Sequence, residues 1–354
     1  MKPALHRLLG AIHHPSSMAT LSEQEWDALL RHSRRAGLLS RLALDAQDAG
    51  LYDNLPPRVR RHMQAAVFVA ERQKRAIHWE VHKLHKAIGY MGIPIVLLKG
   101  AAYVMAELPP SRGRLFGDID LLVPRQNLTD VELELRLHGW HGVGHDDYDQ
   151  RYYREWTHEI PPVTHISRGS TLDIHHNILP LTARLKPQAS DLLADIKPIP
   201  GLSNFYRLGD EDLVLHSATH LFHEGEWGNG LRDLVDIHSL LGKFCRQHDF
   251  MDRLTARAQK LDLSEPFHLA VWFNQLLLGI SNSNKASKVP MPNAYHRWLF
   301  QHGFSLAHPD LSCAGSAMAG FLLYLRSHFL RMPMTLLIPH LARKTVRTYA
   351  LKDQ

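Results

Sequence analysis

Cysteine is nearly absent from this chain of 354 residues. It has only Cys245 and Cys313, too few for a disulfide framework or a cysteine-based zinc site. Both are read as reduced, buried thiols. The N-terminal stretch MKPALHRLLGAIHHPSS lacks a continuous apolar core, so no secretory leader is expected and the default location is the cytoplasm. Long hydrophobic runs are missing too. The best, Ala314 to Leu325, is about 12 residues against the ~20 that a membrane span requires. No low-complexity tract and no repeat at periods of roughly 20–50 residues breaks the pattern. What remains is the composition of a soluble globular protein long enough for a substantial core. A net charge of +6, with 26 histidines in reserve, favours anionic partners without choosing among nucleotides, nucleic acid and anionic membrane surfaces.

Three regions follow from periodicity. Residues 1–88 read as helical. Ser22 and Glu25 form a capping-box pattern ahead of Trp26, Leu29 and Leu30. A second helix is predicted over Arg34–Ala49 and a long one over Arg58–Tyr90. The long helix sets Val67, Ala70, Ile77, Val81, Leu84 and Ile88 on one face and a basic, solvated face opposite. Residues 89–185 are strand-rich. Gly92-Ile93-Pro94 breaks the helix, and Ile95–Leu98 and Asp118–Val123 read as buried strands. Asn127 is placed to cap a helix through Leu137. After a charged, aromatic stretch from Asp146 to Trp156, HEI, VTHI and TLDIHH read as short strands. Residues 186–354 return to helix after a connector punctuated by Pro187, Pro198 and Pro200. Helices are predicted from Asp210 or Asp212 through Phe222, over Leu231–Phe244, and near 251–261 and 265–280. The fold class is therefore α+β, a small mixed β-sheet core flanked by N-terminal and C-terminal helical regions.

The chemistry concentrates between Pro94 and Val123. Asp118 and Asp120 stand two residues apart in an apolar strand, so their side chains share one face. Carboxylates so close to a core need a cation or basic neighbours. Magnesium, which takes oxygen ligands and bridges carboxylates to phosphates, meets that need; Arg112 and Arg114 are the structural alternative. Asp173, between Leu172 and Ile174 in another predicted strand, completes a trio if the two strands are neighbours.

Lys99-Gly100 after an apolar strand, Arg114 four residues before Asp118-Ile-Asp120-Leu-Leu-Val, and Leu172-Asp173-Ile-His175 resemble the nucleotidyltransferase superfamily typified by DNA polymerase beta and kanamycin nucleotidyltransferase. With His220-Leu-Phe-His223 and Arg232-Asp-Leu-Val-Asp236-Ile, they resemble more closely its bacterial branch of nucleotidyltransferase family proteins, over roughly residues 30–280. The resemblance implies a nucleotidyltransferase core at 89–185. It implies Mg2+ or Mn2+ on Asp118, Asp120 and Asp173, with Asp173 also the proton acceptor, and a nucleotide-binding turn at Lys99, Gly100, Ala101 and Arg114. Gly100 matches the glycine that lets that turn approach the triphosphate. At Ala101 the chain departs from the Gly-Ser or Gly-Gly of the wider superfamily, whose serine donates to phosphate; Lys99 and Arg114 are the cationic donors at hand.

The implied activity is transfer of a nucleoside monophosphate from an NTP, ATP foremost, to a hydroxyl on a small molecule, protein or RNA, with release of pyrophosphate. The alternative is a non-catalytic nucleotide-binding or partner-recruiting module on the same fold. A third reading, a metallohydrolase, uses His216, His220 and His223 with Asp173. His175, His220 and His223 are otherwise expected to line a substrate pocket. Asp236 is expected to pair with Arg232. The basic, apolar stretch 314–347 is expected to pack on the domain, with membrane-surface contact as the lesser alternative.

Overall fold

The computed structural model describes residues 2–142, 153–154, 156–223, 225–279 and 289–336. Four helices precede the sheet: α1 (Pro3–His13), α2 (Glu23–Arg35), α3 (Leu39–Asp48) and α4 (Pro57–Ile88). The capping box forms as the sequence indicates. The Ser22 hydroxyl accepts from the Glu25 amide, and the Glu25 carboxylate accepts from the Ser22 amide. The single helix predicted over Arg34–Ala49 is instead interrupted. Gly37 adopts φ of +69°, which ends α2 and lets α3 start in a new direction. Helix α4 runs as predicted and buries Ala70, Ile77, Val81, Leu84 and Ile88.

Among the described residues the sheet has seven strands. They are β1 (Ile95–Leu97), β2 (Ile119–Leu122), β3 (Trp140–Gly142), β4 (Val163–His165), β5 (Thr171–His175), β6 (Ile196–Pro198) and β7 (Phe205–Leu208). Their order is β3-β4-β5-β2-β1-β7-β6, with β2/β5 and β1/β7 parallel and the other neighbouring pairs antiparallel. Central β1 and β2 are buried throughout, β1 as an unbroken apolar run and β2 with Asp120 as its one polar residue. The hairpin β6–β7 arises from the stretch read as a proline-rich connector. Pro198 is tolerated there because β6 is the sheet's edge strand. HEI contributes a single bridge, Glu159 to His175, rather than a strand.

Between strands lie α5 (Lys99–Met105) and α6 (Leu128–Leu137), and α7 (Ala189–Leu193) leads to the hairpin. Asn127 precedes α6 without a side-chain capping bond. The C-terminal half adds α8 (Asp210–His223), α9 (Gly230–Phe244), α10 (Phe250–Lys260), α11 (Ser264–Leu278), α12 (Ala294–Gly303) and α13 (Ser316–Arg331). Helix α8 is the hub of this half and packs on α9, α10 and α11, while α1 reaches across to α11. One continuous core joins the helical flanks to the sheet.

The structure is thus a mixed α+β fold with helices on either side of the sheet. No described helix is long and apolar enough to cross a membrane. Met318 and Phe321 on α13 are exposed. The rest of the stretch read as surface-active, from residue 337, lies outside the described residues, as does most of Asp146–Trp156. Cys245 and Cys313 are free and only partly buried.

Candidate active site

Parallel pairing of β2 with β5 sets Asp120 directly opposite Asp173, with Leu122 opposite His175. Alternation along β5 puts Asp173 and His175 on the same face. Asp120, Asp173 and His175 on that face therefore come from two adjacent strands. Asp118 lies just before β2 and is exposed at the mouth of the cleft.

The buried Asp120 and the half-buried Asp173 are treated differently. Asp120 Oδ1 accepts from Lys99 Nζ at 2.9 Å and from His175 Nε2 at 3.1 Å. Burial alone would push the Asp120 carboxyl up, but Lys99 and His175 outweigh it and hold it well below its ordinary range. Asp173 Oδ1 is buried with no hydrogen-bond partner. Its burial, reinforced by the negative charges of Asp120, Glu159 and Asp118, pushes that carboxyl up to about 7.

Lys99 stands at the turn from β1 into α5 with φ of +42°, a left-handed conformation uncommon for a residue with a side chain. Gly100 follows it. A Cβ there would lie 2.8 Å from Phe116 Cδ1 and 3.0 Å from an Arg114 terminal nitrogen. The glycine thus makes room for the loop that carries Arg114. Ala101 is buried within α5. Arg114 is largely but not fully buried, its Nε donating to Asp236 Oδ2 at 2.8 Å. Its guanidinium also lies over the Tyr103 and Phe116 rings. The Arg232–Asp236 pair expected from sequence is replaced by this one. Arg232 bonds its neighbour Asp233 at 2.8 Å, because Arg114 enters from the loop and takes Asp236.

Lys99, Gly100, Arg114, Asp118, Asp120 and Asp236 wall a cleft of about 400 Å³, whose lining does not include Asp173 or His175. Lys99, Gly100, Asp118 and Asp120 form one side. Glu226, Asn229, Arg232 and Asp233, from α9 and the turn before it, form the other. Of the histidines expected to line a pocket, His220 reaches this cleft. His175 and His223, with His216 and His220, surround a smaller inner cavity of about 20 Å³ behind Lys99, room for roughly one water. Burial pushes His216 and His223 down to about 3 and His220 well below its ordinary range, so all three are neutral at pH 7. Among the described residues, His216, His220 and His223 form no grouping of metal-ligand spacing. The groupings that do are His158–Glu159–His175 and His32–His308–Asp310. Sequence pattern did not single out His158 or Glu159. Their relation to His175 depends on a chain crossing that no local spacing encodes.

Residues 22–279 match the model of a family described as an uncharacterised nucleotidyltransferase. The chain matches no curated protein and no solved structure.

Proposed function

The chain belongs to this family of uncharacterised nucleotidyltransferases, and from that premise we propose that its cleft transfers a nucleoside monophosphate from an NTP, ATP first, to a hydroxyl acceptor. Asp118, Asp120 and Asp173 are the residues that would hold Mg2+ or Mn2+. The observation that carries this reading is the Asp120–Asp173 register with one buried Asp173 oxygen left without a partner. Two carboxylates facing each other near a core are unfavourable unless a cation joins them, and an all-oxygen donor set suits a hard ion. When bound, such an ion neutralises triphosphate charge and orients the α-phosphoryl group.

The chain's own groups account for the rest. Asp173, opposite Asp120 across the two strands, would take the proton of the acceptor hydroxyl. The acceptor oxygen bonds the α-phosphorus as the α–β P–O bond breaks, and pyrophosphate carries away the electron pair. Lys99 leaves Asp120 for the phosphates, a role for which its place at the cleft wall suits it. Arg114, anchored by Asp236, supplies a fixed positive charge beside them. The wall of Glu226, Asn229 and Asp233 faces the acceptor.

The second reading, a non-catalytic nucleotide-binding or partner-recruiting module, is favoured by one contact. Lys99 Nζ already occupies Asp120 at 2.9 Å, where an ion would compete with it. Incubation of the chain with each α-labelled NTP, Mg2+ or Mn2+ and cell extract separates the two. Label transfer with pyrophosphate release, abolished in Asp120→Asn and Asp173→Asn, supports the enzyme. Metal-dependent nucleotide binding without transfer supports the module.

A further inference from the structure

Behind the cleft, on the far side of His175 from Asp120, lies a second group of ligand-forming side chains. Backbone contacts fix it to β5. Glu159 bridges His175, the Ile160 amide donates to the Ile174 carbonyl at 3.0 Å, and the His176 amide donates to the His158 carbonyl at 2.7 Å. One ligand atom from each of His158, Glu159 and His175 lies within 4.8 Å of the others.

The hydrogen-bond inventory of this group does not close. Asp120 is an ionised carboxylate that only accepts, so His175 must donate to it through Nε2–H. In a neutral imidazole that leaves Nδ1 as a bare lone pair. Yet Nδ1 faces Glu159 Oε2 at 3.2 Å, acceptor against acceptor. Nδ1 of His175 is buried with no hydrogen-bond partner, in a side chain only 5% exposed. His158 Nδ1 is likewise buried without a partner. Two imidazoles and a carboxylate therefore converge, and His175 brings no donor to meet the carboxylate.

We propose that His158, Glu159 and His175 bind a borderline divalent cation, of which Zn2+ is the type, at a site distinct from the aspartate trio. Two imidazoles and a carboxylate are a donor set that takes Zn2+ with one position left for water. The Glu159–His175 separation matches the ligand–ligand edge of about 3.3 Å that follows from Zn–N and Zn–O bonds near 2.0–2.1 Å. His175 would join the two sites. Its Nδ1 ligates while its Nε2–H is held by Asp120, the carboxylate–histidine–metal arrangement that fixes tautomer and ring orientation. The ion would then position Asp120 in the nucleotide cleft without touching the nucleotide. The site stands on these contacts whether or not the cleft transfers nucleotides.

The test uses the full chain stripped with a chelator and titrated with Co2+ in excess Mg2+. The expected result is one Co2+ per chain with visible d–d absorption of a nitrogen-containing, low-coordinate site, displaced by Zn2+ but not by Mg2+. Binding should weaken at least tenfold in His158→Ala and in the near-isosteric Glu159→Gln, and persist in Asp118→Asn. Co2+ binding that survives in both His158→Ala and Glu159→Gln would place the ion elsewhere, on the aspartates or on His32, His308 and Asp310, and overturn the proposal. A second measurement does not depend on variants. In 15N NMR of the wild type at pH 7, His175 Nδ1 should shift on adding Zn2+. Resonances showing His175 protonated on both nitrogens and unmoved by Zn2+ would identify an imidazolium held between two carboxylates, and no metal site.

Discussion

Asp120 and Asp173 face each other across β2 and β5, and they are unequally compensated. Asp120 accepts from Lys99 and His175, while one oxygen of Asp173 is buried without a hydrogen-bond partner. A stability-minded arrangement would have satisfied both.

Replacing Asp173 should separate activity from stability. At pH 7.5 the metal-free fold bears the cost of ionising a carboxyl whose protonation is favoured up to about 7. Asp173→Asn removes that charge, so it should stabilise the chelator-treated protein by about 1–3 kcal/mol while abolishing nucleotidyl transfer. Denaturant titration beside a transfer assay reads both. A loss of stability in the variant would contradict the account.

Lys99 competes with any cation at Asp120 and, with nucleotide present, is expected on the phosphates. Lys99→Met should therefore raise Mn2+ affinity without nucleotide, on the order of tenfold, and lower affinity for the metal–nucleotide complex by a similar factor. Calorimetric titration with Mn2+, with and without an NTP analogue, checks the opposite signs. Parallel changes in both would assign Lys99 a purely structural place.

The Arg114–Asp236 pair is buried, so breaking it from one side leaves an uncompensated charge. Asp236→Ala should destabilise the fold by about 3 kcal/mol, the lower end for such pairs because Asp233 lies 4.0 Å from Arg114 and shares the charge. Arg114→Met combined with Asp236→Leu should cost less than the sum of the single changes. Equilibrium unfolding of the three variants measures the coupling.

Acid should weaken the fold earlier than carboxylate titration alone would. Burial holds His216 and His223 at about 3 and His238 at about 4, against an ordinary 6.5. The unfolded chain therefore takes up protons first, and their contribution, complete above 6.5, is lost as pH falls towards the folded values. Between pH 7.5 and 5.5 each should cost about 1.4 kcal/mol. Asp173 has the opposite sign, gaining as its raised carboxyl protonates, so the decline should be steeper in Asp173→Asn. Stability that is level across this range would contradict the neutral, buried state of these histidines.

Local pattern carried the fold where one element is one period. The capping box at Ser22, the long α4, the buried runs of β1 and β2 and the helices between Asp210 and Leu278 announce themselves in spacing and end signals; α12 and α13 do not. Pattern failed where a single residue overrides it. Gly37 breaks an otherwise continuous amphipathic stretch, and Pro198 disguises an edge strand as a connector. The pairing of Asp120 with Asp173 was foreshadowed because each sits in an apolar run, whereas Asp118, read as part of the same strand, lies just before it. Asp236 as partner of Arg114 was not legible, since 122 residues separate them. Nor was the approach of His158 and Glu159 to His175, which comes from the chain doubling back along β5.

The most direct test is the position of Mn2+ by anomalous scattering in crystals soaked with Mn2+ and a non-hydrolysable NTP. The account predicts an ion in contact with Asp118, Asp120 and Asp173, nucleotide phosphates beside it, and Lys99 turned from Asp120 to those phosphates. Nucleotide bound in the cleft with Lys99 still on Asp120, and no ion between the aspartates, would contradict it.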